Sequence, residues 1–157
     1  MSNNYDIETF RDNIVDLIQQ ELPQKIIEIN LEKNDEFQIN NISPSNYYND
    51  IMDQVLNISP FIYYGVNNLT SFTVGCQTKV EVTLFVSVVF DNTNLEGTET
   101  KVLRYSRCLK EIIQENFKIF PSTSALSVTE FAPENYELNN GADFKVGGIH
   151  ITATITG

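Results

Sequence analysis

The sequence has one histidine, His150, and two cysteines, Cys76 and Cys108. With a single histidine, any Ser/His/Asp or Cys/His system must pass through His150, and the sequence identifies neither a nucleophile nor an orienting group for it. His150 reads as a surface or interface residue on an alternating, threonine-rich face. A pocket holding it beside a carboxylate or a thiol would reopen an enzymatic reading. The two cysteines lack metal-ligand spacing and are expected to be free packing thiols of a reduced compartment. No apolar run approaches the ~18 residues that span a bilayer, and no N-terminal signal-like h-region is seen. A cytoplasmic origin without a membrane role is the expectation.

Phosphate and metal motifs are missing too. Nothing matches GxxxxGK[ST], and Gly147-Gly148 reads as a bulge or a close backbone approach inside a strand. The acidic pairs Asp35-Glu36, Glu96 with Glu99, and Glu134 with Glu137 lack the Gly-punctuated loop of an EF-hand and read as solvated faces. No metal, cofactor or enzymatic activity is expected. Basic residues are scarce: 10 against 21 acidic ones, a formal charge of −11. Such a field repels polyanions. No Lys or Arg lies between Lys33 and Lys79, so the aromatic clusters Tyr47-Tyr48 and Phe61–Tyr64 lack the interleaved cations of a single-strand-binding platform. Core packing or a Tyr-rich subunit interface is the better reading. No specific nucleic-acid binding is expected.

What is present is periodicity. In QTKVEVTLFVSVVFDN, Gln77 to Asn92, apolar residues fall at every second position from Val80 to Phe90, the repeat of a strand. Its other face starts polar and turns apolar at Phe85 and Val89, which predicts a long central strand whose far half is covered on both sides. Ile7, Phe10, Ile14, Leu17, Ile18 and Leu22 mark a helix capped by Asp6 and closed by Pro23. Lys25 to Leu31 alternates and predicts a strand, with Glu32 to Asn41 looping out. Ser43 to Pro60 predicts a short second helix, Phe61 to Val66 a strand, and Asn67 to Gly75 a polar connection. Asp91 to Thr100 reads as an exposed loop before a helix over Val102 to Phe117, ended by Pro121. Within it Glu111 and Glu115 form an unfavourable like-charge pair. Leu126 to Phe131 and Val146 to Thr156 predict strands, separated by a polar stretch with a turn at Asn139, Asn140 and Gly141. The chain, residues 1–157, is expected to be one domain of α+β class: a mixed, mainly antiparallel sheet around the long central strand, with two to three helices packed on it.

This order of elements resembles that of the small tail-terminator and neck proteins of tailed bacteriophages. The residues carrying the resemblance are IETFRDNIVDLIQQELPQKIIEI at Ile7 to Ile29, KVEVTLFVSVVF at Lys79 to Phe90, and VLRYSRCLKEIIQENF at Val102 to Phe117. The resemblance implies a virion protein, made in the bacterial host cytoplasm, that assembles with itself into a ring, commonly a hexamer. That ring caps the tail tube, stops its growth and meets the head–tail connector, with the tube and sheath proteins as further partners, while DNA passes through the lumen. The expected contact residues are Asp91, Asn92, Asn94, Glu96 and Glu99 of the loop, and His150, Thr152, Thr154 and Thr156 of the C-terminal strand, taken as an exposed edge. A head–tail adaptor or head-completion ring, a non-viral binding module and an unrecognised enzyme are the alternatives.

Overall fold

The computed structural model describes residues 6–49, 60–91, 96–120, 122–137 and 143–156. They form an α+β fold of two helices on a mixed five-stranded sheet. In chain order the elements are α1 (Ile7–Lys33), β1 (Tyr47–Asn49), β2 (Phe61–Val74), β3 (Gln77–Asp91), α2 (Thr98–Asn116), β4 (Thr123–Glu137) and β5 (Asp143–Thr156). The sheet order is β1-β2-β3-β5-β4. Only β1 and β2 run parallel.

The largest departure from the sequence reading is α1, which does not stop at Pro23 but runs through it to Lys33. The segment Lys25 to Leu31 is helical, not a strand. Ile26 and Ile29 extend the stripe of Ile18 and Leu22 into the core, whereas Ile27 and Leu31, two of the three residues on the buried face of the supposed strand, are 53% and 75% exposed. Burying two isoleucines contributes roughly 3–6 kcal/mol, against about 3 kcal/mol for an interior proline. Burial wins, and the helix continues. Asp6 caps its start by accepting from the Thr9 N–H at 2.8 Å, and Asn34 ends it in the left-handed region at φ 45°.

Ion pairs lock α1 to α2. Lys25 Nζ lies 2.7 Å from Glu115 and 3.7 Å from Glu111, so the like-charge pair on α2 has a cation between its members. Arg107 donates to both Glu32 oxygens and to Glu111. Beyond α1 the chain returns along the helices: the Asn30 side-chain amide exchanges two hydrogen bonds with the Ile39 backbone, at 2.8 and 3.0 Å, which sets Ile39 and Ile42 into the core. Arg104, buried on α2, holds Asp35 and the Phe37 carbonyl.

One sheet face carries the helices. Val82, Leu84, Val86 and Val88 of β3 and Ile149, Ile151, Ala153 and Ile155 of β5 share a single core with both helices. Gly147 and Gly148 allow the close approaches behind this layer. A Cβ on Gly147 would stand 2.3 Å from Val102 of α2, and one on Gly148, at φ +156°, 2.1 Å from the Val86 carbonyl oxygen. The bulge lies opposite them, in β4, where the register shifts between Phe131 and Glu134.

Two boundaries also move. The supposed connection Asn67 to Gly75 continues β2, and the polar stretch after Phe131 continues β4 to Glu137. In place of the start of a helix, Pro44–Asn46 form a single 3-10 turn and Tyr47–Asn49 a short strand; the rest of that predicted helix and the Asn139–Gly141 turn lie outside the described residues. Cys108 is buried as a packing thiol, with its pKa pushed up to about 12 by burial, but Cys76 is exposed in the β2–β3 turn.

Candidate functional site

The opposite sheet face carries no helix among the described residues. Its far half is covered by aromatic side chains of neighbouring strands: Phe61, Val89, Phe144 and Val146 are buried together, with Tyr48, Tyr63 and Phe131 packed against them. Phe61 meets Tyr48 and Phe144 edge-on, at ring separations of 5.7 and 6.5 Å. Alternation alone predicts apolar residues here. It does not reveal that the cover comes from within the sheet.

Beside this cluster lies a pocket of about 470 Å³ whose walls come from four strands. Tyr63 of β2 and Phe85 of β3 stand 5.1 Å apart, and Phe131 of β4 stacks on His150 of β5 at 4.9 Å. Ser87, Glu134 and Tyr136 complete the polar part of the rim. The fold thus brings His150 to a carboxylate that stands sixteen positions earlier in sequence. Among the described residues, no hydrogen bond or ion pair joins His150 to Glu134 or Ser87; its ring is held by stacking. That arrangement suits binding of a flat or apolar group better than proton transfer, which needs an oriented base. Among the described residues no group of three His, Cys, Asp or Glu side chains is placed to hold a metal ion. No described helix is long and apolar enough to cross a membrane.

The expected contact residues fall into two groups. His150, Thr152, Thr154 and Thr156 line up, half-buried, on this helix-free face. The Thr152 hydroxyl is 3.2 Å from that of Thr83 on β3. Their strand is not an exposed edge, because β5 pairs with β3 on one side and β4 on the other. Those threonines can offer a neighbour their face and nothing else. Asp91 closes β3 opposite Phe144, Glu96 is exposed in the turn before α2, and Glu99 is exposed in the first turn of that helix. Asn92 and Asn94 lie outside the described residues.

Sequence reasoning missed the outer part of β2. From Val66 to Val74 every residue is exposed, forming with the start of β3 a hairpin arm. The signal was available in Leu69, Phe72 and Val74, apolar residues inside a stretch read as a polar connection. No protein-family model matches the chain, and no curated protein matches it.

Proposed function

We propose that the protein is a structural ring subunit of a phage neck, a tail terminator that stops tube growth and joins the tail to the head connector. The observation that carries this reading is the second face of the sheet, which carries no helix among the described residues. An α+β subunit that places aromatic rings and a row of threonines on a helix-free face is suited to meeting neighbours across that face. In this reading β3 is the long central strand of the subunit. Asp91, Glu96 and Glu99 border one end of the contact, with Asn92 and Asn94 proposed as contact residues too, and His150, Thr152, Thr154 and Thr156 form its floor. The subunits assemble as a ring, with six copies expected, on the last tier of tail tube. The charge of −11 supports passage of DNA, since an acidic wall does not hold a phosphate backbone. The alternative within the same reading is a neighbouring ring of the neck, a head–tail adaptor or head-completion protein.

The test is electron microscopy of particles made by a phage deleted for this gene. Overlong tubes, or finished tails beside detached and filled heads, are the expected result, with tube length separating terminator from adaptor. Normal infectious particles would overturn the proposal. One observation favours a second reading, a small-molecule site: His150, Glu134 and Ser87 line one pocket. Under that reading His150→Ala abolishes ligand binding while leaving particles intact.

A further inference from the structure

Among the described residues, two edges of the sheet lack a full-length neighbour, and they differ. β4 is interrupted by two register shifts and carries Pro133 with Glu130, Glu134 and Glu137. These are devices that keep an edge from pairing. The outer part of β2 has one shift, between Val66 and Asn68, and then runs regularly to Val74. β1 pairs only with Ile62, Tyr63 and Tyr64, so beyond them no described strand lies along the outer side of β2. From Phe61 to Thr78 there is no charged side chain, in a chain whose net charge is −11. Val66, Leu69, Phe72 and Val74 are 42, 49, 38 and 53% exposed.

The hairpin geometry says which backbone groups point outward. Gly75 and Cys76 form a two-residue loop between Val74 and Gln77, which such loops close as a hydrogen-bonded pair. Inward bonding then alternates along β2. Leu69, Ser71 and Thr73 turn their N–H and C=O groups away from β3.

We infer that this row pairs with the same segment of a second copy, antiparallel about a twofold axis at Ser71. In that register Ser71 faces itself and Leu69 meets Thr73 of the other copy, so the outward amides of Ser71 and Thr73 gain partners and that of Leu69 exchanges the Asn68 Oδ1 it now holds at 2.9 Å for the Thr73 carbonyl. No like charges stand opposite one another. Other acidic surfaces repel a second copy, whereas this arm approaches it with little Coulomb cost. The contact is smaller than the ~800 Å² per partner of a stable complex. The dimer is therefore concentration-dependent, and salt, by screening the remaining repulsion, tightens it. A twofold contact does not by itself close a ring, so this inference stands or falls separately from the neck assignment.

Sedimentation velocity of the full chain, from low micromolar to near-millimolar concentration, tests it. A monomer–dimer equilibrium that tightens with salt is expected. Ser71→Pro removes an outward N–H without touching the β2–β3 ladder and weakens the dimer by about tenfold or more. Because proline also restricts the backbone of the arm, a second variant reads the register directly: Ser71→Cys with Cys76→Ser. Facing residues about 5.5 Å apart fall within disulfide reach, so this variant forms a covalent dimer on mild oxidation. The native Cys76 thiols, roughly 33 Å apart in this register, do not. A protein that stays monomeric throughout, a dimer indifferent to Ser71→Pro, or cross-linking through Cys76 in place of position 71 overturns the inference.

Discussion

Replacing Pro23 by alanine measures the competition that sets the length of α1. An interior proline lacks the N–H that would bond the carbonyl four residues earlier and crowds that turn, at a cost of about 3 kcal/mol relative to alanine. Alanine frees the unfolded chain, which returns about 0.4–1 kcal/mol to the unfolded state. Since Pro23 stands inside a helix with Leu22 and Ile26 both buried around it, the net expectation for Pro23→Ala is a gain of about 2 kcal/mol. For a chain of this size that raises the melting temperature by about 4–8 °C. Urea unfolding followed by circular dichroism, together with thermal melts, gives both numbers. If a helix ended at Pro23 and a strand followed, the substitution would leave stability unchanged or lower it. Either result would refute the continuous helix and the argument that burial of Ile26 and Ile29 overrides the proline.

Further expectations concern single groups. The Tyr47 hydroxyl is buried with no hydrogen-bond partner among the described residues, whereas the Tyr105 hydroxyl donates to the Asn40 carbonyl at 2.5 Å and accepts from its N–H at 3.2 Å. Tyr47→Phe should therefore be neutral or stabilising by about 1 kcal/mol, and Tyr105→Phe destabilising by about 1–3 kcal/mol, in chemical denaturation. Gly148→Ala should cost about 3–5 kcal/mol or prevent folding, because its Cβ would stand 2.1 Å from the Val86 oxygen; Gly75→Ala, in open space at φ +62°, should cost about 1–2 kcal/mol. The Arg104 hydrogen bonds hold the Asp35 carboxyl at about 2, below its usual 3.8. The stabilisation this pair supplies is complete above pH ~4 and is lost as pH falls towards 2. Unfolding curves between pH 5 and 2 should show a shallower acid limb in Asp35→Asn than in the parent protein.

Much of the fold is legible in the sequence because its signals are local. The period-two run behind β3, the Asp6 cap and the apolar stripe of α2 each follow from residues within a few positions of one another. The acidic surplus and the single histidine bound the chemistry without any coordinates. Pro23 misled, since a proline's penalty is visible in sequence while the partners that offset it, Glu115 and the core around Ile26, come from elsewhere in the chain. Leu69, Phe72 and Val74 misled in the opposite sense, as apolar residues that extend a strand into solvent. Burying β5 between β3 and β4 is a matter of strand order, which no local pattern encodes. The pocket that gathers Tyr63, Phe85, Phe131 and His150 has the same origin: four strands distant in sequence meet on one face only when the sheet closes. Sequence by itself thus determined the local periods of β3 and α2, the start of α1 and the bounds on the chemistry. Tertiary structure alone decided which edge, and which face, was left open.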